Sequence, residues 1–233
     1  MNVIVTGASR GLGHAIAEKF AANGYDLYLS ARNEQGLKEA ATGLIKKYPN
    51  IKIHWQAADL STKEGTAKFS DWLNKKSVAI DVLINNAGSF VPGNVSNEAD
   101  GALEQMMNVN LFSAYHLTRS LLPAMKNRNA GHIFNMCSIA SLKAYENGGA
   151  YSISKFALLG LTMNLREELK GSGIKVTAVL PGAAYTDSWK SSGISPERIM
   201  EADDISTMVF AAAQLSPQAC VEQIIVRPQL GDL

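Results

Sequence analysis

Seven apolar runs of five to seven residues alternate with six longer helical stretches from one end of the chain to the other. This rhythm restricts the fold more than any single motif. The runs lie at 2–6, 25–30, 51–57, 81–85, 132–137, 174–180 and 220–226. The helical stretches fall near 12–22, 34–47, 62–76, 99–127, 150–170 and 203–215. Most runs are apolar without strict alternation, which is the pattern of strands covered on both faces, as in a parallel sheet. Helices must then lie on each side, so the expectation is one α/β domain spanning residues 1–233. With 233 residues and 46% hydrophobic content, the chain can bury one sizeable core. Asn23-Gly24 closes the first helix with a good C-cap. Pro123 falls late in the 99–127 stretch and predicts a kink or an early end there.

Thr6-Gly7-Ala8-Ser9-Arg10-Gly11-Leu12-Gly13 leaves the first run and opens the first helix. A tight turn that delivers backbone N–H groups at a helix N-terminus is an anion site, suited to a pyrophosphate. Gly7 lets the chain leave the strand sharply, Gly11 allows close backbone approach, and Gly13 lets the helix pack near the sheet. The context implies a Rossmann-like, doubly wound parallel sheet of about seven strands with helices on both faces. NAD-preferring folds of this kind usually end their second strand in a carboxylate that binds the ribose 2′-hydroxyl. Here that end reads Leu29-Ser30-Ala31-Arg32-Asn33, without an acid. Arg32, with Arg10 approaching from the glycine turn, suits a 2′-phosphate and therefore NADP(H) over NAD(H). The alternative is that both guanidiniums are solvated surface charges.

Tyr151 and Lys155 are four residues apart and share one face of a helix. An ammonium about 5 Å from a phenol, at an effective dielectric of about 20, favours the phenolate by about 3 kcal/mol. The pair is a device for exchanging a proton near neutral pH. On its own such a pair is usually a surface tyrosine beside a solvated lysine. The same helix continues through Phe156–Leu165 apolar nearly all round. Either it is buried within its own subunit, or one face meets the sheet and the other a second subunit.

Thr6-Gly7-x-x-x-Gly11-x-Gly13, Asn85-Asn86-Ala87-Gly88 and Tyr151-x-x-x-Lys155 stand in that order, and together they resemble the short-chain dehydrogenase/reductase family. The resemblance runs from residue 2 to about 187. Its nearest types are the compact 3-oxoacyl-carrier-protein reductases and carbonyl reductases. It implies a catalytic set of Asn110, Ser138, Tyr151 and Lys155. Tyr151 would be the acid/base. Ser138, ending the fifth strand, would bond the substrate carbonyl oxygen. Asn110, rather than its neighbour Asn108, would hold a relay water, and Lys155 would bind the nicotinamide ribose and tune Tyr151. Gly7, Ser9, Arg10, Gly11, Leu12, Gly13 and Arg32 would form one part of the cofactor site. Asp59 and Leu60 would lie beside the adenine, and Asn86, Ala87 and Gly88 would line the adenosine side. Pro181, Gly182, Ala184 and Thr186 would stand at the nicotinamide.

The chain departs from the family pattern at three places. Ala184 is smaller than the aliphatic residue common there. The segment from Asp187 to about Asp203, the family's substrate lid, is short and polar, and carries Trp189. The C-terminus lacks the glycine pair common in the acyl-carrier reductases. The implied activity is NADP(H)-dependent interconversion of a carbonyl and a secondary alcohol in a homodimer or homotetramer. The alternative is a catalytically silent NADP-binding redox sensor or interaction protein.

Other functions are disfavoured by composition. Twenty-two Lys+Arg against 21 Asp+Glu leave a net charge of +1, without the basic excess of a nucleic-acid or anionic-membrane surface. The longest apolar stretches are too short to span a bilayer. The first run begins at Asn2, which leaves no leader, and a cytoplasmic location is expected. Cys137 and Cys220 read as free thiols within strand runs, with Cys137 in the core. His14, His54, His116 and His132 show no metal-ligand spacing, so no metal is expected.

Overall fold

A computed structural model describes residues 1–186 and 193–232. Its elements follow the order β1 (Asn2–Thr6), α1 (Gly11–Ala22), β2 (Asp26–Ala31), α2 (Glu34–Lys47), β3 (Ile53–Ala57), α3 (Lys63–Lys75) and β4 (Val82–Asn85). Next come α4 (Ala102–Met107), α5 (Ser113–Arg128), β5 (Gly131–Met136), α6 (Gly149–Leu169) and β6 (Ile174–Pro181). The chain closes with β7 (Ala184–Tyr185), β8 (Met200–Glu201), α7 (Ala202–Ala213) and β9 (Gln223–Val226). Seven strands pair in parallel in the order β3-β2-β1-β4-β5-β6-β9, and β7 pairs with β8 in a separate two-stranded ribbon.

The non-alternating strand runs have a direct structural cause. Val3, Val5, Leu27, Leu29, Val82 and Ile84 enter one apolar layer, with Ile16 and Phe20 of α1, Leu37 of α2 and Val209 of α7. The residues between them, Ile4, Tyr28 and Leu83, enter the opposite layer with Phe69 of α3, Leu121 of α5 and Leu169 of α6. Successive side chains of a strand point to opposite faces, so a sheet covered on both sides needs apolar residues at every position. Asn33 and Thr62 cap α2 and α3 by accepting from Gly36 N at 2.7 Å and Gly65 N at 2.9 Å. Strand order reverses between β1 and β4, and such a switch point opens a crevice at the carboxyl ends of the strands.

Several boundaries differ from the sequence expectation. The 99–127 stretch is not one helix ending early at Pro123. It divides at a π-helical segment, Asn108–Phe112, and α5 then runs through Pro123 to Arg128. Proline cannot bond the carbonyl four residues back, here that of Arg119. Both residues are exposed, which leaves that carbonyl open to water rather than buried without a partner. β5 ends at Met136 and β9 begins at Gln223, which places both cysteines just outside their strands. Cys137 is nevertheless buried at 3% exposure, while Cys220 is half-buried. Ser138 lies two residues past β5 and caps a 3-10 turn, Ile139–Ser141. Of the expected lid, residues 187–192, with Trp189, lie outside the described residues. Residues 200–203 belong to β8 and the start of α7. The helix carrying Tyr151 buries Leu158, Leu159 and Leu165 but leaves Ile153, Phe156 and Met163 exposed, so it is not covered all round by its own chain. Among the described residues, no helix is long and apolar enough to cross a membrane.

Candidate active site

The glycine turn fits the anion site expected of it. Gly7 and Gly11 have φ values of +65° and +59°, which residues with a Cβ rarely adopt. A Cβ on Gly13 would strike the Gly7 carbonyl and Asn86 Nδ2, so helix and turn touch through bare backbone. α1 has no side-chain cap and no acid in its first turn, so its leading N–H groups and positive dipole end remain for an anion. Thr186 lies over the turn, with its Cβ 3.6 Å from where a Gly11 Cβ would be. Ser9 faces the start of α2, beside Gly36. Arg10 and Arg32 are exposed and have no ion-pair partner among the described residues. The carboxylate nearest to Arg32 in sequence is Glu34, at the first position of α2. The turn, the free helix end and the two guanidiniums are compatible with a phosphate-bearing dinucleotide.

The segment Asn86–Phe90, leaving β4, touches each part of the site in turn. Asn86 Nδ2 donates to Thr6 O at 2.9 Å and Gly7 O at 3.2 Å, clamping the glycine turn. Thr6 Oγ1 accepts from Asn86 N and Ala87 N, both at 2.9 Å. A Cβ on Gly88 would lie 2.9 Å from Asn110 Oδ1 and 3.7 Å from Lys155 Nζ, so its absence allows both groups to approach. Ser89 N donates to Asn110 Oδ1 at 2.8 Å, and Asn110 Nδ2 donates back to Ser89 O at 3.0 Å and to Ser154 Oγ at 2.9 Å. The Phe90 ring meets the Tyr151 ring edge-on, with centroids 4.9 Å apart. The π-helical segment holds Asn110 at 1% exposure, whereas Asn108 is exposed.

α6 brings Tyr151 and Lys155 together. The Lys155 ammonium is 5.7 Å from the Tyr151 ring centroid and donates to Met136 O at 2.7 Å. Lys155 is 6% exposed and has no carboxylate partner among the described residues. Tyr151 is half-buried, and its hydroxyl has no partner among the described residues. Ser138 is 8% exposed; its Oγ accepts from Ala140 N at 3.1 Å, which leaves its O–H to donate. Ser152 Oγ donates to Ala140 O at 3.0 Å, tying the Ser138 turn to the residue after Tyr151. The four candidate catalytic residues therefore converge on the carboxyl ends of β4 and β5.

The remaining sequence candidates are distributed around that edge. Asp59 Oδ1 accepts from Ser61 N at 3.0 Å and Ser61 Oγ at 2.7 Å, and Leu60 is buried in the layer of α3. Pro181 ends β6. Gly182 N donates to Val226 O at 2.8 Å, with the Pro228 ring against Gly182. Ala184 is 5% exposed in the layer of α1 and α7, and β8 runs beside it, with Met200 N donating to Ala183 O at 3.2 Å. Burial pushes the Cys137 thiol up to about 11, which removes it as a nucleophile.

Sequence reading missed a buried polar ladder beneath the site. Asn85 Nδ2 donates to Asn135 Oδ1 at 2.8 Å and to Thr118 Oγ1 at 3.0 Å. Asn135 Nδ2 donates to Thr162 Oγ1 at 2.9 Å. These bonds join β4, β5, α5 and α6, while Asn85 Oδ1 is buried without a partner among the described residues. Phe90, Tyr145 and Glu98 were also missed. The one available signal was their proximity to the Asn85–Gly88 and Tyr151 motifs.

The short chain dehydrogenase family model matches residues 1–196. An uncharacterised oxidoreductase of Staphylococcus saprophyticus is 30% identical over 225 residues, covering 97% of this chain and 96% of its own. The sepiapterin reductase of Chlorobaculum tepidum is 30% identical over 239 residues, covering 99% and 97%. Among solved structures, a metagenomic short-chain oxidoreductase in complex with NADP superposes with a TM-score of 0.84 at 31% identity, covering 98% and 97%. An alcohol dehydrogenase from Thermococcus sibiricus, complexed with 5-hydroxy-NADP, gives 0.89 at 25% identity, covering 98% and 96%.

Proposed function

The chain belongs to the short-chain dehydrogenase family of oxidoreductases, and from that premise we propose that it is an NADP(H)-dependent reductase of carbonyl compounds, or the reverse alcohol dehydrogenase. The relatives named sepiapterin reductase and alcohol dehydrogenase, and the neighbours complexed with NADP, support a carbonyl–alcohol reaction with this cofactor. When bound, the nicotinamide supplies or accepts the hydride. The glycine turn and the α1 N-terminus would hold the pyrophosphate, and Arg10 and Arg32 would bind the 2′-phosphate.

In reduction, Tyr151 donates its phenolic proton to the substrate carbonyl oxygen. Ser138 donates a hydrogen bond to the same oxygen and stabilises the negative charge that develops there. The Lys155 ammonium, 5.7 Å from the Tyr151 ring centroid, is the positive charge beside the proton donor, and it would also serve the ribose. Asn110, fixed by Ser89 and Ser154, steadies the backbone beside Lys155 and supports the return of the proton. The burial of Lys155 carries the reading. A desolvated ammonium without a counter-charge is expensive to maintain, and such groups concentrate at functional sites. The exposed stripe Ile153, Phe156 and Met163 on α6 supports a homodimer or homotetramer, which light scattering at micromolar concentration would refute by showing a monomer.

The decisive measurement is NADPH oxidation against a panel of carbonyl compounds, with NADH in parallel. Tyr151→Phe is expected to bind NADPH as the wild type does and to lose about 10²-fold or more in turnover. Wild-type turnover in that variant refutes the mechanism.

A further inference from the structure

Two aromatic side chains that the proton-transfer scheme does not use stand beside Tyr151. Phe90 lies edge-on to the Tyr151 ring, with planes at 79°, and is 55% exposed. Tyr145 comes from the loop before α6, and its ring lies against bare backbone. A Cβ on Gly148 would be 3.1 Å from Tyr145 Cε1. Tyr145 is 46% exposed. Burial, and secondarily the nearby Tyr151 phenol, push its hydroxyl up to about 12, so at neutral pH it remains a donor.

The loops that carry both rings are fastened to one another before any substrate arrives. Asn94 Nδ2 donates to Asn147 Oδ1 at 3.1 Å, and Asn147 N donates to Asn94 Oδ1 at 3.0 Å. Gly93 N donates to Asn147 O at 3.0 Å. Glu98 Oε2 accepts from Ala150 N, in the first turn of α6, at 3.0 Å. Gly149, at φ +29°, makes room for that contact, because a Cβ there would collide with the Glu98 carboxylate and the Gly93 carbonyl. These bonds fasten the Phe90 loop to the Tyr145 loop, and both to the helix turn that carries Tyr151. A flat ligand that meets rings on loops already fastened together costs less backbone freedom on binding.

We propose that Phe90 and Tyr145 form an aromatic subsite that selects substrates bearing a planar aryl or heteroaryl ring next to the reacting carbonyl. The inference rests on Tyr151 being the proton donor to that carbonyl. A ring attached to the carbonyl carbon reaches the exposed surface of Phe90, while Tyr145 can donate to a ring heteroatom or substituent. A puckered aliphatic ring of equal carbon count gains neither the stacking nor the edge contact.

The test uses the NADPH-loaded enzyme with a matched pair, acetophenone and cyclohexyl methyl ketone. Phe90→Leu and Tyr145→Leu alter half-exposed side chains and should melt as the wild type does. In each, kcat/KM for acetophenone should fall about fivefold, the size of one aromatic contact, with cyclohexyl methyl ketone changed less than about twofold. Calorimetric binding of 1-phenylethanol and 1-cyclohexylethanol to the NADP⁺ complex gives a readout independent of turnover. It should show the same selective loss. Equal losses for both rings, or no loss for either, overturn the subsite. Ring-selective binding without reduction of any carbonyl leaves the subsite standing and refutes the reductase reading. Reduction of both ketones without ring selectivity refutes the subsite alone.

Discussion

Gly13→Ala should weaken both the fold and cofactor binding, although alanine is the better helix former. In a helix interior the exchange is worth about 1 kcal/mol in alanine's favour. At Gly13 the added Cβ would overlap the Gly7 carbonyl oxygen and Asn86 Nδ2, and would lie 2.9 Å from the Gly7 carbonyl carbon. Those atoms are backbone and a bonded amide, not the free end of a flexible side chain. Overpacking of this kind costs about 1–3 kcal/mol, which offsets alanine's gain and leaves a net destabilisation of up to about 2 kcal/mol. Relief requires α1 to move away from the glycine turn or the Asn86 clamp on Thr6 and Gly7 to open. Either movement displaces the N–H groups aimed at the pyrophosphate. Loss of one charge-assisted bond, about 1.5–3 kcal/mol, raises the NADPH Kd about tenfold or more. Gly43→Ala is the control. It lies exposed in α2, nothing is within 4 Å of its would-be Cβ, and the same substitution should stabilise by about 1 kcal/mol. Thermal melts and NADPH fluorescence titrations of both variants decide the matter. A Gly13→Ala protein that melts above the wild type, as Gly43→Ala should, and binds NADPH with unchanged Kd would falsify the packing argument.

Other perturbations test separate parts of the structure. Glu98→Ala removes the acceptor for Ala150 N and should cost about 1 kcal/mol in chemical denaturation, with turnover falling beside it; Glu98→Gln should retain most of both. His132 is 4% exposed, and burial lowers its pKa from 6.5 to about 3, so the unfolded chain binds a proton that the folded chain refuses. Stability is therefore complete above pH 6.5 and falls as pH drops toward 3. The loss is about 1.4 kcal/mol per unit, or about 2 kcal/mol by pH 5. His132→Gln should flatten that slope in urea titrations at pH 7 and 5, and an unchanged slope counts against the assignment. Arg10→Ala with Arg32→Ala should raise the KM for NADPH about tenfold or more and leave that for NADH nearly unchanged. Equal effects on the two cofactors would remove the 2′-phosphate role.

The parts of the fold legible in the sequence are those governed by local rules. Non-alternating apolar runs identified strands covered on both faces because each β residue must face one of two cores. Four-residue spacing placed Tyr151 and Lys155 on one helix face because 3.6 residues complete a turn. The glycines at 7, 11 and 13 marked a turn that a Cβ would obstruct. Boundaries were less legible where solvent or tertiary contacts decide them. Pro123 reads as a helix breaker, yet α5 continues because the carbonyl it abandons is open to water.

What the residue order determined on its own was the succession of strands and helices, the glycine turn, and one face bearing a phenol and an ammonium. The tertiary structure alone decided which distant groups meet there. Glu98 accepts from Ala150 across 52 positions, and Asn85 bonds Asn135 across 50. The Asn94–Asn147 pair, and Phe90 against Tyr151, are likewise contacts between separate loops. Spacing along a chain carries information only over a few turns of helix or the length of a strand. Groups fifty residues apart come together because the parallel sheet delivers the ends of all its strands to one edge.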